Sequence, residues 1–212
     1  MIQIRISRPE DIPRQRELWQ LAFGDDGAYV DNFYNAYYQP ERVLLLEEDG
    51  VVQAMTAWFE TTFAVPGQGR YRAAYLYAVA THPEARGRGL AGQLLAGADR
   101  IFREWDIPAV TTVPAEPSLH RFFDGQFSAP REGHGIRTVS AVLKRLTPEE
   151  YRDLREGLLA GTAHIDLPQE ALAYQAGACA LAPGGGLYAL RTPHGRAALC
   201  AEGMECGGLL VK

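Results

Sequence analysis

The run Val79-Ala80-Thr81-His82-Pro83-Glu84-Ala85-Arg86-Gly87-Arg88-Gly89-Leu90-Ala91-Gly92 has the residue types of an anion grip. Gly87, Gly89 and Gly92 put no side chain in the way, so successive backbone N–H groups converge on a phosphate at the positive end of the helix that follows. The spacing Gly87-x-Gly89-x-x-Gly92 also satisfies the dinucleotide-binding fingerprint. In that fold, however, the first glycine follows its strand almost at once, and an acidic residue about twenty positions on ends the second strand to hold a ribose. Here Thr81 to Arg86 intervene, and Asp106 precedes the next strand-like run instead of ending it. A Walker-type loop is excluded, because the chain contains no Gly-Lys-Ser or Gly-Lys-Thr.

Several elements must position this turn. Leu90, Leu94, Leu95, Ala98, Ile101, Phe102 and Trp105 recur at helical spacing and leave Gln93, Asp99, Arg100, Arg103 and Glu104 for solvent. Tyr75 to Ala80 upstream and Ile107 to Val113 downstream are short apolar runs, so the segment reads strand, turn, helix, strand. A crossover of this length predicts parallel neighbouring strands with a right-handed connection. Ahead of it, Ile2–Ile6 reads as a strand and Asp11–Phe23 as a helix with Pro13 in its first turn, where proline is tolerated. A second helix over about 28–38 carries the aromatic stripe Tyr29, Phe33, Tyr34, Tyr37 and Tyr38, suited to packing on a sheet or to walling an acceptor pocket. Val43–Glu47 and Val51–Phe59 flank Glu48-Asp49-Gly50, a hairpin signal. Four strands thus precede the turn.

Arg86-x-x-Gly89-x-Ala91 resembles, without a gap, the acyl-CoA signature of the GNAT superfamily of N-acetyltransferases, R/Q-x-x-G-x-G/A. The stretch Tyr77-Ala78-Val79-Ala80-Thr81-His82-Pro83 with the later Val113-Pro114-Ala115 is similar to bacterial members near the enhanced intracellular survival type. The opening Ile6-Ser7-Arg8-Pro9-Glu10-Asp11 also resembles the family's first strand and helix, so the likeness covers roughly residues 1 to 145. It implies an α/β (α+β) GNAT fold: a mixed twisted sheet with splayed parallel central strands and flanking helices. It also implies that backbone groups of Val79, Ala80 and Thr81 meet the pantetheine arm, and that amides of Arg86, Gly87, Arg88, Gly89, Leu90, Ala91 and Gly92 hold the pyrophosphate. The activity implied is transfer of an acetyl group from acetyl-CoA, as co-substrate, to a primary amine of a small molecule or peptide, by direct attack in a ternary complex.

The catalytic groups are less legible. In related enzymes a helix after the fifth strand carries a tyrosine in a Tyr-x-x-x-Gly-Phe pattern, whose hydroxyl protonates the departing thiolate. Here the sequence is Arg121-Phe122-Phe123-Asp124-Gly125-Gln126-Phe127, so Phe122, or Phe123 with a one-residue deletion, takes that position and the hydroxyl is missing. A thiol has a reference pKa of about 8.5, so water can protonate the leaving group, and a positioned acid typically contributes about 10²–10⁴ in rate. The amine is the larger problem: freeing the lone pair of a lysine-like group of pKa about 10.4 costs on the order of 4–5 kcal/mol at pH 7. Glu116, in the loop beyond the fifth strand, is the first candidate base, although it reads equally as a solvated acid or helix cap ahead of Pro117-Ser118. His120 has a suitable intrinsic pKa of about 6.5. Tyr77 is the candidate to replace the missing acid. Without an acid, the alternative is a non-catalytic acyl-CoA-binding sensor or scaffold.

Composition bounds the remaining classes. The chain has 212 residues, is 47% hydrophobic and 22% charged, and carries a formal net charge of -5 without a basic block; it is long enough for a sizeable core, and nucleic acid is not an expected partner. No stretch approaches a membrane span or a signal peptide, so the expectation is a cytoplasmic protein with no membrane partner. Cys179, Cys200 and Cys206 lack CxxC spacing and read as reduced core thiols, and the histidines at 82, 120, 134, 164 and 194 show no metal-ligand spacing, so no metal is expected.

From Leu146 to Lys212 the chain reads as a small C-terminal α+β lobe of unassigned role, following a GNAT domain over 1–145. Thr147 to Glu150 forms a capping-box pattern opening a helix to about Ala160. A short helix near Pro168–Ala176 and strand-like runs at Ala178–Ala182, Leu187–Arg191, Ala197–Ala201 and Leu209–Val211 follow, with turns at Pro183-Gly184-Gly185-Gly186 and Pro193-His194-Gly195. So short a segment barely stabilises itself. It is expected to dock on the first domain or to mediate a homo-oligomer, covering the apolar end at Leu209-Leu210-Val211.

Overall fold

The computed structural model describes residues 1–114 and 142–203, together with the backbone of 209–211. The chain opens with β1 (Ile2–Ile6), a short 3₁₀ turn, α1 (Ile12–Phe23) and α2 (Gly27–Ala36). Then come β2 (Val43–Glu48), β3 (Val51–Val65), β4 (Gly69–Thr81), α3 (Leu90–Glu104) and β5 (Ala109–Thr112). The second part contains β6 (Val142–Arg145), α4 (Pro148–Leu159), β7 (His164–Asp166), α5 (Gln169–Ala180), β8 (Gly186–Thr192), β9 (Gly195–Gly203) and β10 (Leu209–Val211).

The first sheet has the order β1-β2-β3-β4-β5. Its neighbours are antiparallel except β4 and β5, the parallel pair predicted around the glycine turn. The β2–β3 turn places both Asp49 (φ 49°) and Gly50 (φ 83°) in the left-handed region, which matches the strand twist of a tight hairpin. α3 lays Leu90, Leu94, Ala98 and Phe102 on Leu44, Leu46, Trp58 and Leu76 of one sheet face. α1 and α2 cover the opposite face, where Trp19, Val30 and Phe33 meet Leu45, Met55 and Phe59. The aromatic stripe packs on this core: Phe33 and Tyr37 are buried, and Tyr29, Tyr34 and Tyr38 are partly buried against it. This mixed sheet with helices on both faces is the expected fold class.

The second sheet, β10-β9-β8-β6, is antiparallel throughout. β6 precedes the expected domain boundary in sequence but pairs with β8 in this sheet. The apolar end of the chain pairs with β9 of the same chain. The capping box forms as the sequence predicts: Glu150 N–H donates to Thr147 Oγ1 at 3.2 Å and Thr147 N–H to Glu150 Oε2 at 3.0 Å. Among the described residues no helix is long and apolar enough to cross a membrane.

Two expectations are corrected. The run Ala178–Ala182 is not a strand, because α5 continues through Ala180. That helix is buried on two sides: Ala171 and Tyr174 join the core of the first sheet, whereas Leu172 and Cys179 join Tyr151, Leu187 and Cys200 in a second core. A helix that feeds two cores on different sides carries no one-sided periodicity to read. Second, β3 and β4 extend well past Phe59 and start well before Tyr75, since the polar segment Glu60–Val65 stays paired with Gly69–Ala74. β7, which the sequence did not suggest, pairs with β3 at Thr62–Ala64.

β7 and α5 dock the second lobe on the first. Arg42 Nη2 lies 2.9 Å from Glu170 Oε1, Arg70 pairs with the buried Asp166, and Asn32 Nδ2 donates to the Tyr174 carbonyl at 2.8 Å. Gly177 permits this approach, because a Cβ there would lie 2.2 Å from Asn32 Oδ1. Inside the second core, Cys179 and Cys200 bring their sulfurs to 3.3 Å, and the Glu202 carboxylate joins them with all three donor atoms within 4.8 Å of one another. Linear spacing concealed that grouping.

The β7 strand brings a testable pH dependence. His164 sits between the Thr162 carbonyl (2.9 Å) and Glu156 Oε2 (3.1 Å), and these bonds, the carbonyl first, raise its pKa. A pKa raised by folding stabilises fully below the unfolded value of about 6.5, and the contribution is lost as pH rises through the folded pKa. Urea midpoints are expected to fall between pH 6 and pH 8.5 in the wild type, and to fall less in His164→Ala. An equal fall in both proteins rules the contribution out.

Candidate active site

The parallel pairing of β4 with β5 runs from Ala73–Ala109 to Leu76–Thr112 and stops there, although β4 continues to Thr81. A bulge on the other edge of β4 explains the parting. Tyr77 opposes Ala57 and Ala80 opposes Met55, so Ala78 and Val79 together face the single residue Thr56. Ala78 adopts φ 49°, an uncommon conformation for a residue with a Cβ. The buried Thr56 hydroxyl donates to the Tyr77 carbonyl at 3.4 Å. An extra residue of this kind bends its strand and increases the local twist. Between the parted strands lies a cleft of about 560 Å³, lined on one side by Tyr77–Thr81 and on the other by Thr112–Pro114.

At one end of the cleft stands the glycine turn. Gly87 and Gly89 take φ 75° and 74°, conformations that a Cβ would oppose. Gly89 is the N-cap of α3, and the Gln93 N–H makes the first bond back into the helix, to the Gly89 carbonyl at 3.2 Å. The amides of Leu90, Ala91 and Gly92 therefore precede the helical ladder, and the capping residue has no side chain to take them. Leu90 buries its side chain in the core beneath α3 and so fixes the turn. Arg86 donates from Nε to the Thr81 carbonyl at 3.2 Å, which ties the turn to the end of β4. Arg88 instead forks onto Glu48 at 2.9 and 2.5 Å.

The sequence-predicted residues fall into three groups. Val79, Ala80, Thr81, Arg86, Ala91 and Tyr77 line the cleft. Gly87, Arg88, Gly89, Leu90 and Gly92 form the turn around Arg86 and Ala91. Glu116 lies outside the described residues, as do His120, Phe122, Phe123 and Gln126.

Tyr77 is less isolated than its place in the sequence suggested. Its hydroxyl lies 2.9 Å from that of Tyr29 and 2.8 Å from that of Tyr174. Burial, followed by the two neighbouring phenols, pushes its pKa well above the ordinary tyrosine range, so the proton is retained at neutral pH. The cleft also contains Asp25, which the sequence reading did not single out. Trp19 Nε1 donates to Asp25 Oδ2 at 2.7 Å, and both residues line the cleft. The signal was the pair Asp25-Asp26 between two helices: Asp26 caps α2 by accepting the Tyr29 N–H at 2.8 Å, and its neighbour faces the cleft. Among the described lining residues, Asp25 is the carboxylate and Arg86 the guanidinium.

Comparison with known proteins agrees with this fold. The sequence pattern of the acetyltransferase (GNAT) domain matches residues 3–125, and the chain belongs to the GNAT acetyltransferase family. Among solved structures, Eis1 from Mycobacterium abscessus is similar, with 16% identity and a TM-score of 0.68 over 94% of this chain and 54% of that one. A GCN5-related N-acetyltransferase from Anabaena variabilis has 18% identity and a TM-score of 0.64 over 100% and 57%. A predicted acetyltransferase from Clostridium acetobutylicum, solved with acetyl-CoA, has 16% identity and a TM-score of 0.50 over 65% and 96%. At these identities the likeness establishes the fold, and the chain spans little more than half the length of the first two proteins. Among curated proteins, none matches the sequence.

The bulge itself is testable. A left-handed conformation costs an L-residue about 1–2 kcal/mol, and glycine escapes that cost at some entropic expense. Ala78→Gly is expected to match or exceed the wild-type stability, by up to about 1 kcal/mol, whereas the β-branched Ala78→Val is expected to lose about 2 kcal/mol or more. Urea unfolding checks the order, and equal stabilities for the glycine and valine variants contradict the assignment.

Proposed function

We propose that the chain transfers an acetyl group from acetyl-CoA to a primary amine by direct attack within a ternary complex. One observation carries this reading: a strand that leaves its parallel neighbour, and a helix start whose amides precede the ladder, open on the same cleft. The parted strands suit a pantetheine arm lying along Val79, Ala80 and Thr81 as an added strand. The turn suits a diphosphate, met by the amides from Arg86 to Gly92. The Arg88 side chain, engaged with Glu48, contributes through its backbone.

In the reaction the amine nitrogen bonds to the thioester carbonyl carbon, the C–S bond breaks, one proton leaves the nitrogen, and one joins the sulfur. Proximity in the cleft supplies much of the rate, since two bound reactants meet without a further loss of translational freedom. Asp25 offers a carboxylate to a cationic acceptor, held in place by the Trp19 indole. Glu116, two residues beyond Pro114, is the proposed base, acting directly or through water. Tyr77 is the proposed acid: it keeps its proton at neutral pH and lines the cleft.

Acetyl-CoA is expected to raise the thermal midpoint of the protein, and a panel of amines is expected to release free CoA thiol. Asp25→Asn is expected to raise KM for cationic amines about tenfold, the equivalent of about 1.4 kcal/mol, while the acetyl-CoA stabilisation persists. Stabilisation without thiol release across the panel identifies a non-catalytic acyl-CoA binder instead. The absence of any stabilisation defeats both readings.

A further inference from the structure

We propose that Cys179, Cys200 and Glu202, where α5 packs on the second sheet, bind a borderline-soft divalent cation of the zinc type. The placement follows from two elementary periods. Cys200 and Glu202 are two residues apart on β9 and so leave the same face of the sheet. Gln175 and Cys179 are four apart on α5 and share one face of the helix. The two faces meet: the Cys179 and Cys200 sulfurs approach to 3.3 Å, and with a Glu202 carboxylate oxygen the three donor atoms lie within 4.8 Å of one another. Linear spacing gave no reason to expect a metal, because Cys179 stands 21 residues from Cys200 in the chain.

Two sulfurs and one carboxylate select the ion. Zinc takes thiolate at about 2.3 Å and carboxylate oxygen at about 2.0–2.2 Å in a tetrahedral array, whereas calcium and magnesium seek oxygen ligands. Two sulfurs on a tetrahedral zinc lie about 3.8 Å apart, so the thiols part by roughly 0.5 Å from their present contact. As each sulfur bonds the metal its proton passes to solvent, and the carboxylate adds the third bond, which leaves a fourth position for water. Without a cation, three anions this close would repel. The sulfur–sulfur contact is instead that of one thiol donating to the other.

The surroundings hold the three ligands in place. Gln175 donates from Nε2 to the Glu202 carboxylate and lies 3.8 Å from the Cys179 sulfur, the kind of outer partner that orients metal ligands. Gly185 lets the turn after α5 press on the Cys179 and Ala201 carbonyls, since a Cβ there would lie 1.9 and 3.0 Å from their oxygens. Both cysteines are buried and Glu202 is partly exposed, so the carboxylate edge gives the ion its way in. The core around the thiols is small, with Tyr151, Leu172 and Leu187 as its other buried members. A core of this size gains much from a metal staple.

The inference is independent of the acetyl-transfer reading, and its test needs no turnover. The full chain, reduced and stripped of metal with a chelator, is titrated with cobalt(II) and then with zinc. One cobalt per chain is expected, with the near-ultraviolet charge-transfer band of thiolate ligands and the visible bands of a tetrahedral ion, and zinc is expected to displace it. Zinc at about a hundredfold excess over its Kd is expected to raise the thermal midpoint by about 5 °C. Cys200→Ala is expected to lose about half of the charge-transfer intensity and to weaken zinc binding by about 10²-fold or more. Glu202→Gln leaves both sulfurs in place, so it keeps the test open should Cys200→Ala fail to fold; it is expected to keep the charge-transfer band and weaken zinc about tenfold. Three results overturn the inference: no cobalt uptake by the reduced wild type, uptake without the charge-transfer band, or uptake as tight in either variant as in the wild type. A chain that takes up no cobalt but joins the two sulfurs when hydrogen peroxide is reduced to water marks the thiols as a redox pair, and overturns it equally.

Discussion

One extra residue in β4 governs the architecture of the cleft. With Ala78 and Val79 both opposite Thr56, the strand bends where a regular ladder would keep β4 and β5 together, and the parallel pairing ends at Leu76 and Thr112. The bulge also resets the alternation of side chains. Tyr75 and Tyr77 face the α1–α2 side of the sheet, and so do Ala78 and Ala80. Small residues thereby join the bulky phenols of Tyr75 and Tyr77 in lining the wall where the parted strand borders the cleft. Conformational strain at Ala78 is the local cost of that arrangement.

Much of this was legible because it is written in local chemistry. The glycine spacing, the amphipathic α3 and the Asp49-Gly50 hairpin each state their backbone conformation in a few adjacent residues. The parallel β4–β5 pair follows from the length of the crossover between them. What stayed hidden depends on partners distant in sequence. β7 is three residues long and exists because β3 offers it an edge. α5 contacts two cores and so shows no single apolar face. The thiols of Cys179 and Cys200 meet across a helix–strand interface that no linear motif encodes.

The two lobes are bound by more than surface contact. α5 contributes Ala171 and Tyr174 to the core of the first sheet while anchoring the second core through Leu172 and Cys179. A helix shared in this way couples the lobes through packing, since close-packed interiors transmit displacement with little give. Gly177 sets how near that helix comes to α2.

The pairing of β7 with β3 has a consequence for solubility. β2 accompanies β3 only as far as Ala57, and the remaining length of that edge, through Thr62, Phe63 and Ala64, would expose a row of unpaired amides and carbonyls. Such a row is a template on which a second chain can add a strand, and unguarded edges of this kind promote aggregation. The second lobe occupies the position with His164–Asp166, and its Arg152 and Glu156, together with Arg70 of β4, place charges around it. Its three-residue strand thus acts as a guard for the first sheet.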